Sequence, residues 1–250
     1  VDVSPDGNSF IVAWEGNGQG DETGIFTKKF DLTNRVFDIN LSQYQDTYAS
    51  SSEKRVNTTT TGIQSNPAVS FKGNNNSAVI TWQSNQSGNN DIYFKTLTSS
   101  DIPEPVSITL GDEILLNTPT IGEQVRPDVK ADSDGKFIIS FEGFTDYYDP
   151  TGIYIRRFNS SGVPLESQLS ITYFKDGYQG NAKLAVDNSL NAYLSWQSAM
   201  DKVITHPTSN LSTLITPGIY LGTYLGQNSA ENNVNFAPID TIQNILPSGS

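Results

Sequence analysis

One short pattern recurs four times along the chain. Such a repeat restricts the fold more than composition does, because a single unit cannot bury its own apolar face and has to stack on its neighbours. The pattern opens with Val1-Asp2-Val3-Ser4 and runs on to Phe10-Ile11-Val12-Ala13-Trp14-Glu15. It returns as Pro67-Ala68-Val69-Ser70-Phe71 with Ala78-Val79-Ile80-Thr81-Trp82-Gln83. It returns again as Pro127-Asp128-Val129-Lys130-Ala131 with Phe137-Ile138-Ile139-Ser140-Phe141-Glu142, and last as Leu184-Ala185-Val186-Asp187 with Ala192-Tyr193-Leu194-Ser195-Trp196-Gln197. A second aromatic segment follows each time, at Gly24-Ile25-Phe26, Asp91-Ile92-Tyr93, Gly152-Ile153-Tyr154 and Gly218-Ile219-Tyr220. A further element closes the units at Arg55-Val56-Asn57-Thr58, at Leu115-Leu116-Asn117-Thr118 and, more weakly, at Gln168-Leu169-Ser170-Ile171. The bridge to the next unit also recurs, as Gly62, Gln64 and Pro67, as Gly122, Gln124 and Pro127, and as an echo at Gly177 and Gln179.

These segments predict four short strands per unit, A to D, in a single repeat domain over 1–250, with units at 1–60, 67–118, 127–173 and 182–246. Residues 241–246 are expected to supply the last D strand. Period-two alternation sets the faces of strand B: Phe10, Val12 and Trp14 share one side, as do Phe137, Ile139 and Phe141. The other side carries Ile11 or Ile138 and is also apolar, so both faces should be covered. Asp6-Gly7 and Asp134-Gly135 signal tight A–B hairpins, with Asn74-Asn75-Asn76 and Asn188 in their place in units 2 and 4. The fold expected is all-β, a β-propeller of four-stranded antiparallel blades, with four blades in this chain that close alone or belong to a larger ring. A string of β-sandwiches is the alternative, although each sandwich usually needs about seven strands.

Composition removes several function classes. A formal net charge of −12 repels phosphate backbones, which argues against nucleic acid as a partner. The chain has no cysteine, so disulfides, Cys-ligated zinc and thiol nucleophiles are excluded. No apolar stretch is long enough for a membrane-spanning helix, so this segment is not expected to insert into a membrane. The chain opens at Val1, inside a strand pattern, which reads as an excerpt or processed piece of a longer protein.

The combination of an Asn-Thr strand, Gln and Pro, Asp-Gly, an aliphatic run ending in Trp-Gln-Ser and then Gly-Ile-Tyr resembles tandem propeller-like repeats of large secreted bacterial surface and adhesin-type proteins. The resemblance covers nearly the whole chain and departs in unit 4, which lacks the proline before strand A and carries a long insertion. It implies a secreted or cell-surface location, a structural or adhesive role towards other protein chains or surface glycans, and assembly with further repeats.

Candidate sites are sparse. Glu15, Gln83, Glu142 and Gln197 follow the aromatic anchor in every unit and read as strand-end residues that hydrogen-bond the next loop. The B–C loops collect oxygen ligands at Asp21, Glu22, Asp91, Asp146 and Asp149, with Asn89 and Asn90 beside them. Calcium takes six to eight oxygens, so these are the candidate ligands of a calcium site, although no EF-hand or glycine-rich calcium motif is present. No other cofactor is expected. Two insertions, Arg35 to Ser52 and Ala199 to Pro217, break the repeat as loops; the second holds Asp201, Lys202 and the chain's only histidine, His206. Tyr44, Tyr48, Tyr147 and Tyr148 are candidates for stacking on sugar rings, which supports a lectin-like alternative. A propeller glycosidase needs two carboxylates facing one sugar, and no pair stands out; Ser4-Pro5-Asp6-Gly7 misses the sialidase Asp-box spacing. No catalytic residue is assigned, and a binding or structural protein is expected rather than an enzyme.

Overall fold

The computed structural model describes residues 1–38, 40–100, 106–143, 151–171, 178–198, 202–205, 212–215 and 218–224. Every regular element among them is a β-strand, and all pairings are antiparallel. Unit 1 holds β1 (Asp2–Val3), β2 (Ser9–Gly18), β3 (Asp21–Asp38), β4 (Gln43–Ser50) and β5 (Lys54–Arg55). Unit 2 holds β6 (Gln64–Phe71), β7 (Ser77–Ser84), β8 (Asp91–Ser99), β9 (Ile108–Leu110) and β10 (Ile114–Leu115). Unit 3 is β11 (Gln124–Ala131), β12 (Phe137–Gly143), β13 (Gly152–Phe158) and β14 (Leu169–Ser170). Unit 4 is β15 (Gln179–Val186), β16 (Ala192–Ser198) and β19 (Gly218–Tyr224), with a separate hairpin of β17 (Lys202–Thr205) and β18 (Ser212–Ile215).

Each unit is its own meander sheet, with A beside B and B beside C, and in units 1 to 3 a short D strand lies on C. The aromatic anchor of strand B sits directly opposite the aromatic residue of strand C in every unit: Trp14 faces Phe26, Trp82 faces Tyr93, Phe141 faces Tyr154 and Trp196 faces Tyr220. In the first three units the paired rings stack, with centroids 6.2, 6.2 and 5.6 Å apart. Such cross-strand aromatic pairs fix register, because a one-residue slip would turn each ring to the opposite face.

Apolar residues on both sides of each strand pack between consecutive sheets. Ile11, Ile25 and Val56 of unit 1 form one core with Val69, Ile80 and Trp82 of unit 2. Val79, Ile92 and Phe94, on the other side of unit 2, pack on Val129, Ile139 and Phe141 of unit 3. Ile138, Ile153 and Ile155 then meet Leu184, Ala192 and Leu194 of unit 4. The faces are thus assigned as strand alternation requires. The Trp/Phe side of a unit looks back to the preceding unit (its leading face), and the Ile/Val side looks forward (its trailing face).

The structure departs from the sequence reading in three places. The Arg35-to-Ser52 insertion is not a loop: β3 runs on to Asp38 and pairs with β4 from Phe30↔Ser50 to Asp38↔Gln43. Val36, Phe37, Tyr44, Thr47 and Tyr48 are β-forming residue types, and a strand satisfies their backbone groups where a loop would not. The 199–217 insertion likewise contains a two-stranded hairpin. The left-handed hairpin residues of units 2 and 4 are Gly73 (φ 65°) and Leu190 (φ 59°), not Asn74, Asn75, Asn76 or Asn188. Leu190 is 3% exposed and belongs to the unit 3–unit 4 core, so apolar burial offsets the cost of the left-handed backbone. The expected D strand at 241–246 and His206 lie outside the described residues.

Candidate functional site

Polar chemistry gathers at the end of the sheets where strand A begins. Strand A carries a β-bulge there in three units, between Ser65 and Ala68, Val125 and Asp128, and Gly180 and Lys183. At each bulge one non-glycine residue takes a left-handed backbone: Asn66 (φ 52°), Arg126 (φ 51°) and Asn181 (φ 56°). That conformation turns the residue's N–H away from its own sheet and towards the preceding unit. There the residue after the aromatic anchor receives it. Asn66 N–H donates to Glu15 Oε2 at 2.8 Å, Arg126 N–H to Gln83 Oε1 at 2.9 Å, and Asn181 N–H to Glu142 Oε1 at 2.5 Å. The expected role of Glu15, Gln83 and Glu142 as bonds to the following connection is therefore seen, and its partner is the bulge. The Arg126 guanidinium also reaches Glu142 Oε2 at 2.7 Å, and Glu142 holds it still more firmly charged.

Two further contacts repeat across the seams. The basic residue of strand C reaches back to the preceding unit: Lys95 Nζ donates to Thr58 Oγ1 at 2.7 Å, and an Arg156 N–H to the Leu116 carbonyl at 2.7 Å. Burial lowers the Lys95 pKa, opposed by the nearby carboxylates of Glu113 and Asp112. Backbone N–H groups at Thr58 and Thr118 donate forward, to Glu113 Oε2 at 2.5 Å and to Gln168 Oε1 at 3.1 Å.

Within units 1 and 2 the candidate calcium ligands Asp21 and Asp91 occupy equivalent places in a buried amide network. Asn57 Nδ2 donates to Asp21 Oδ2 at 2.6 Å, while its Oδ1 accepts from Ile25 N–H at 2.8 Å. Asn117 makes the same bonds to Asp91 Oδ1 at 2.8 Å and from Ile92 N–H at 2.7 Å. Gln64 and Gln124 complete the networks through Asn57 and Asn117, at 3.4 and 3.1 Å. This explains why Asn and Gln recur at fixed spacing: they satisfy buried backbone groups at the D-to-A crossing. Asp21 and Asp91 lie in different units and are not brought together, and Glu22 beside Asp21 is exposed. Among the described residues no three His, Asp or Glu side chains gather as a metal site. Asp146, Asp149, Tyr147 and Tyr148 fall outside the described residues; Tyr44 and Tyr48 lie on β4, opposite Phe37 and Leu32.

Two open recesses occur at the opposite end. All four units line a cavity of about 310 Å³ at the far ends of their A strands, including Val3, Phe71, Ala131 and Val186, with Asp2 and Lys130 as its charged members. Asp2 is engaged there, accepting the Phe71 N–H at 2.8 Å. A second recess of about 290 Å³ lies between the A–B hairpins of units 2 and 3, beside Lys72 and Asp134. The Lys72 ammonium caps it, donating to the Ser160 carbonyl at 2.8 Å, and burial lowers its pKa.

Sequence reasoning missed the bulge, the most regular polar feature of the molecule. Two of its three left-handed residues are asparagines in an Asn-rich chain, the third is Arg126, and none is glycine. The only trace was the recurrent Gln two residues earlier, at Gln64, Gln124 and Gln179. No family model matches the chain, and no curated protein matches it.

Proposed function

We propose that the four units are blades of a β-propeller and that the chain is a structural or adhesive module of an extracellular or cell-surface protein, presenting a stiff surface to other protein chains or matrix. The observation that carries this reading is the threefold recurrence of one seam, with the same bulge N–H and the same acceptor position each time. A symmetric seam repeated between units fits a scaffold, whereas a catalytic centre singles out one unit. Continuous apolar cores between sheets make such a stack rigid along its whole length, which suits a spacer or display platform. The acidic excess fits a solvated surface that stays apart from nucleic acid.

The test has two arms. Antibodies raised against the chain should label intact producing cells, and protease added to those cells should remove the label. Purified chain should also compete with cell attachment to a matrix-coated surface. Label confined to the cytosol, or attachment untouched by excess chain, would overturn the reading.

A further inference from the structure

Lys29, on β3 opposite Ile11, is only 1% exposed. Burying an ammonium is costly unless its charge and its donors are matched. Asp31 Oδ1 supplies the charge, 2.8 Å from Lys29 Nζ. The other oxygen of that carboxylate, Asp31 Oδ2, is buried with no hydrogen-bond partner among the described residues. A buried carboxylate oxygen left open is uncommon and calls for a reason.

The third member of the group comes from the next unit. Asn76, in the A–B hairpin of unit 2, turns its side-chain carbonyl to Lys29, with Oδ1 3.1 Å from Nζ. The Ser99 hydroxyl lies 3.4 Å from the same Oδ1. The Asn76 main chain is held on both sides: its carbonyl accepts the Ser99 N–H at 2.8 Å, and its N–H donates to Asn74 Oδ1 at 2.9 Å. None of these contacts uses Asn76 Nδ2, and the residue is half-buried, so its amide group is not sealed in. The other seams do not repeat this arrangement. The residues in register with Lys29 are Thr96, Arg157 and Thr223. A chemical site singles out one unit in this way, where a scaffold feature recurs. The three groups brought together are an amine nucleophile, an acyl carbon and a proton carrier.

We propose that Lys29 and Asn76 join as an amide, an isopeptide cross-link between units 1 and 2 that the chain forms by itself, with Asp31 carrying the protons. Lys29 Nζ passes one proton to Asp31, and the neutral amine attacks Asn76 Cγ, one bond beyond the oxygen it now touches. The Nζ–Cγ bond forms while the Ser99 hydroxyl faces the oxygen on which negative charge develops. A second Nζ proton, relayed by Asp31, moves to Nδ2. The Cγ–Nδ2 bond breaks and ammonia leaves. One hydrogen stays on the new amide and one proton stays on Asp31, so atoms and charge balance without an oxidant, a reductant or an activating group. The fold supplies the proximity that such a step needs. Two buried charges disappear in the product, and their desolvation cost goes with them. The cross-link does not depend on where the protein resides or on what it adheres to.

Mass spectrometry of the purified full chain tests this. The intact mass should fall short of the sequence mass by one ammonia. Trypsin should not cut after Lys29, and the digest should contain one branched peptide joining the segments that hold Lys29 and Asn76. Asn76→Asp should form the same link with loss of one water instead. Lys29→Met and Asp31→Asn should keep their full sequence mass, with circular dichroism reporting whether each retains its β structure. A folded parent at full sequence mass would overturn the proposal, as would an ammonia loss mapped to any other residue. A link formed as completely in folded Asp31→Asn as in the parent would overturn the role of Asp31. The masses of the parent and of Asn76→Asp decide the matter even where another variant does not fold.

Discussion

The trailing faces of units 3 and 4 are built from the same strands in the same register, yet they are in opposite situations. In unit 3, Ile138, Ile153 and Ile155 are wholly buried against unit 4, and Glu142 is occupied by Asn181 N–H. In unit 4, Tyr193 and Ile219 face outward and Gln197 turns to its own sheet. The difference shows that burial here belongs to the seam and not to the sheet. A single sheet of this kind has no inside; its core is created when the next sheet arrives.

Apolar truncation should separate the two faces most. Ile92→Ala, in the unit 2–unit 3 seam, should lower unfolding free energy by about 2–5 kcal/mol, whereas Ile219→Ala should stay within about 0.5 kcal/mol. Urea unfolding measures both. A similar loss for the two would break the comparison.

Next come the acceptors. Gln83→Ala leaves the Arg126 N–H without its partner at the seam and should cost about 1–3 kcal/mol, while Gln197→Ala should cost almost nothing. Asn117→Ala removes the partner of both Ile92 N–H and Asp91 and belongs in the same range of about 1–3 kcal/mol.

The legibility of these features in the sequence differs for physical reasons. Strand positions and faces were readable because period-two alternation and the Trp-to-Tyr cross-strand pairs leave a mark in residue type. The roles of Glu15, Gln83 and Glu142 were readable because they recur. The bulge was not, since Arg126 has no local preference for the left-handed backbone that Asn66 and Asn181 tolerate, and what the three share is an N–H donated to another unit. Leu190 hid its turn in the same way, because a buried leucine does not look like a hairpin residue. The carboxylates of the B–C loops looked like metal ligands because sequence cannot show that Asp21 and Asp91 are each bonded to an asparagine of their own unit.

The smallest expected effect is on pH dependence at the hairpins remote from the bulges. The Ser4 hydroxyl and then the Asn8 backbone N–H hold the Asp6 carboxyl below its usual value, and the Asn191 side chain does the same for Asp187. Lowered folded values mean a contribution that is complete above the ordinary carboxylate range and fades as pH falls through the folded value. Burial of Asp132 acts oppositely: its raised value favours the protonated form, so acid relieves that cost. Asp6→Asn should therefore flatten the fall of the thermal midpoint below about pH 4, and Asp132→Asn should steepen it. Asp6 is exposed and Asp187 is only half-buried, so the change should be slight.

The central claim is that one backbone donor, turned out of the A strand in each of units 2, 3 and 4, ties that unit to the one before it. Amide hydrogen exchange on the native chain tests this directly at Asn66, Arg126 and Asn181. Their N–H groups should exchange as slowly as the core strand amides of Ile80 and Ile139, and Gln83→Ala should speed Arg126 while sparing Asn66. Fast exchange at all three in the parent, or a Gln83→Ala effect spread equally over them, would contradict the account.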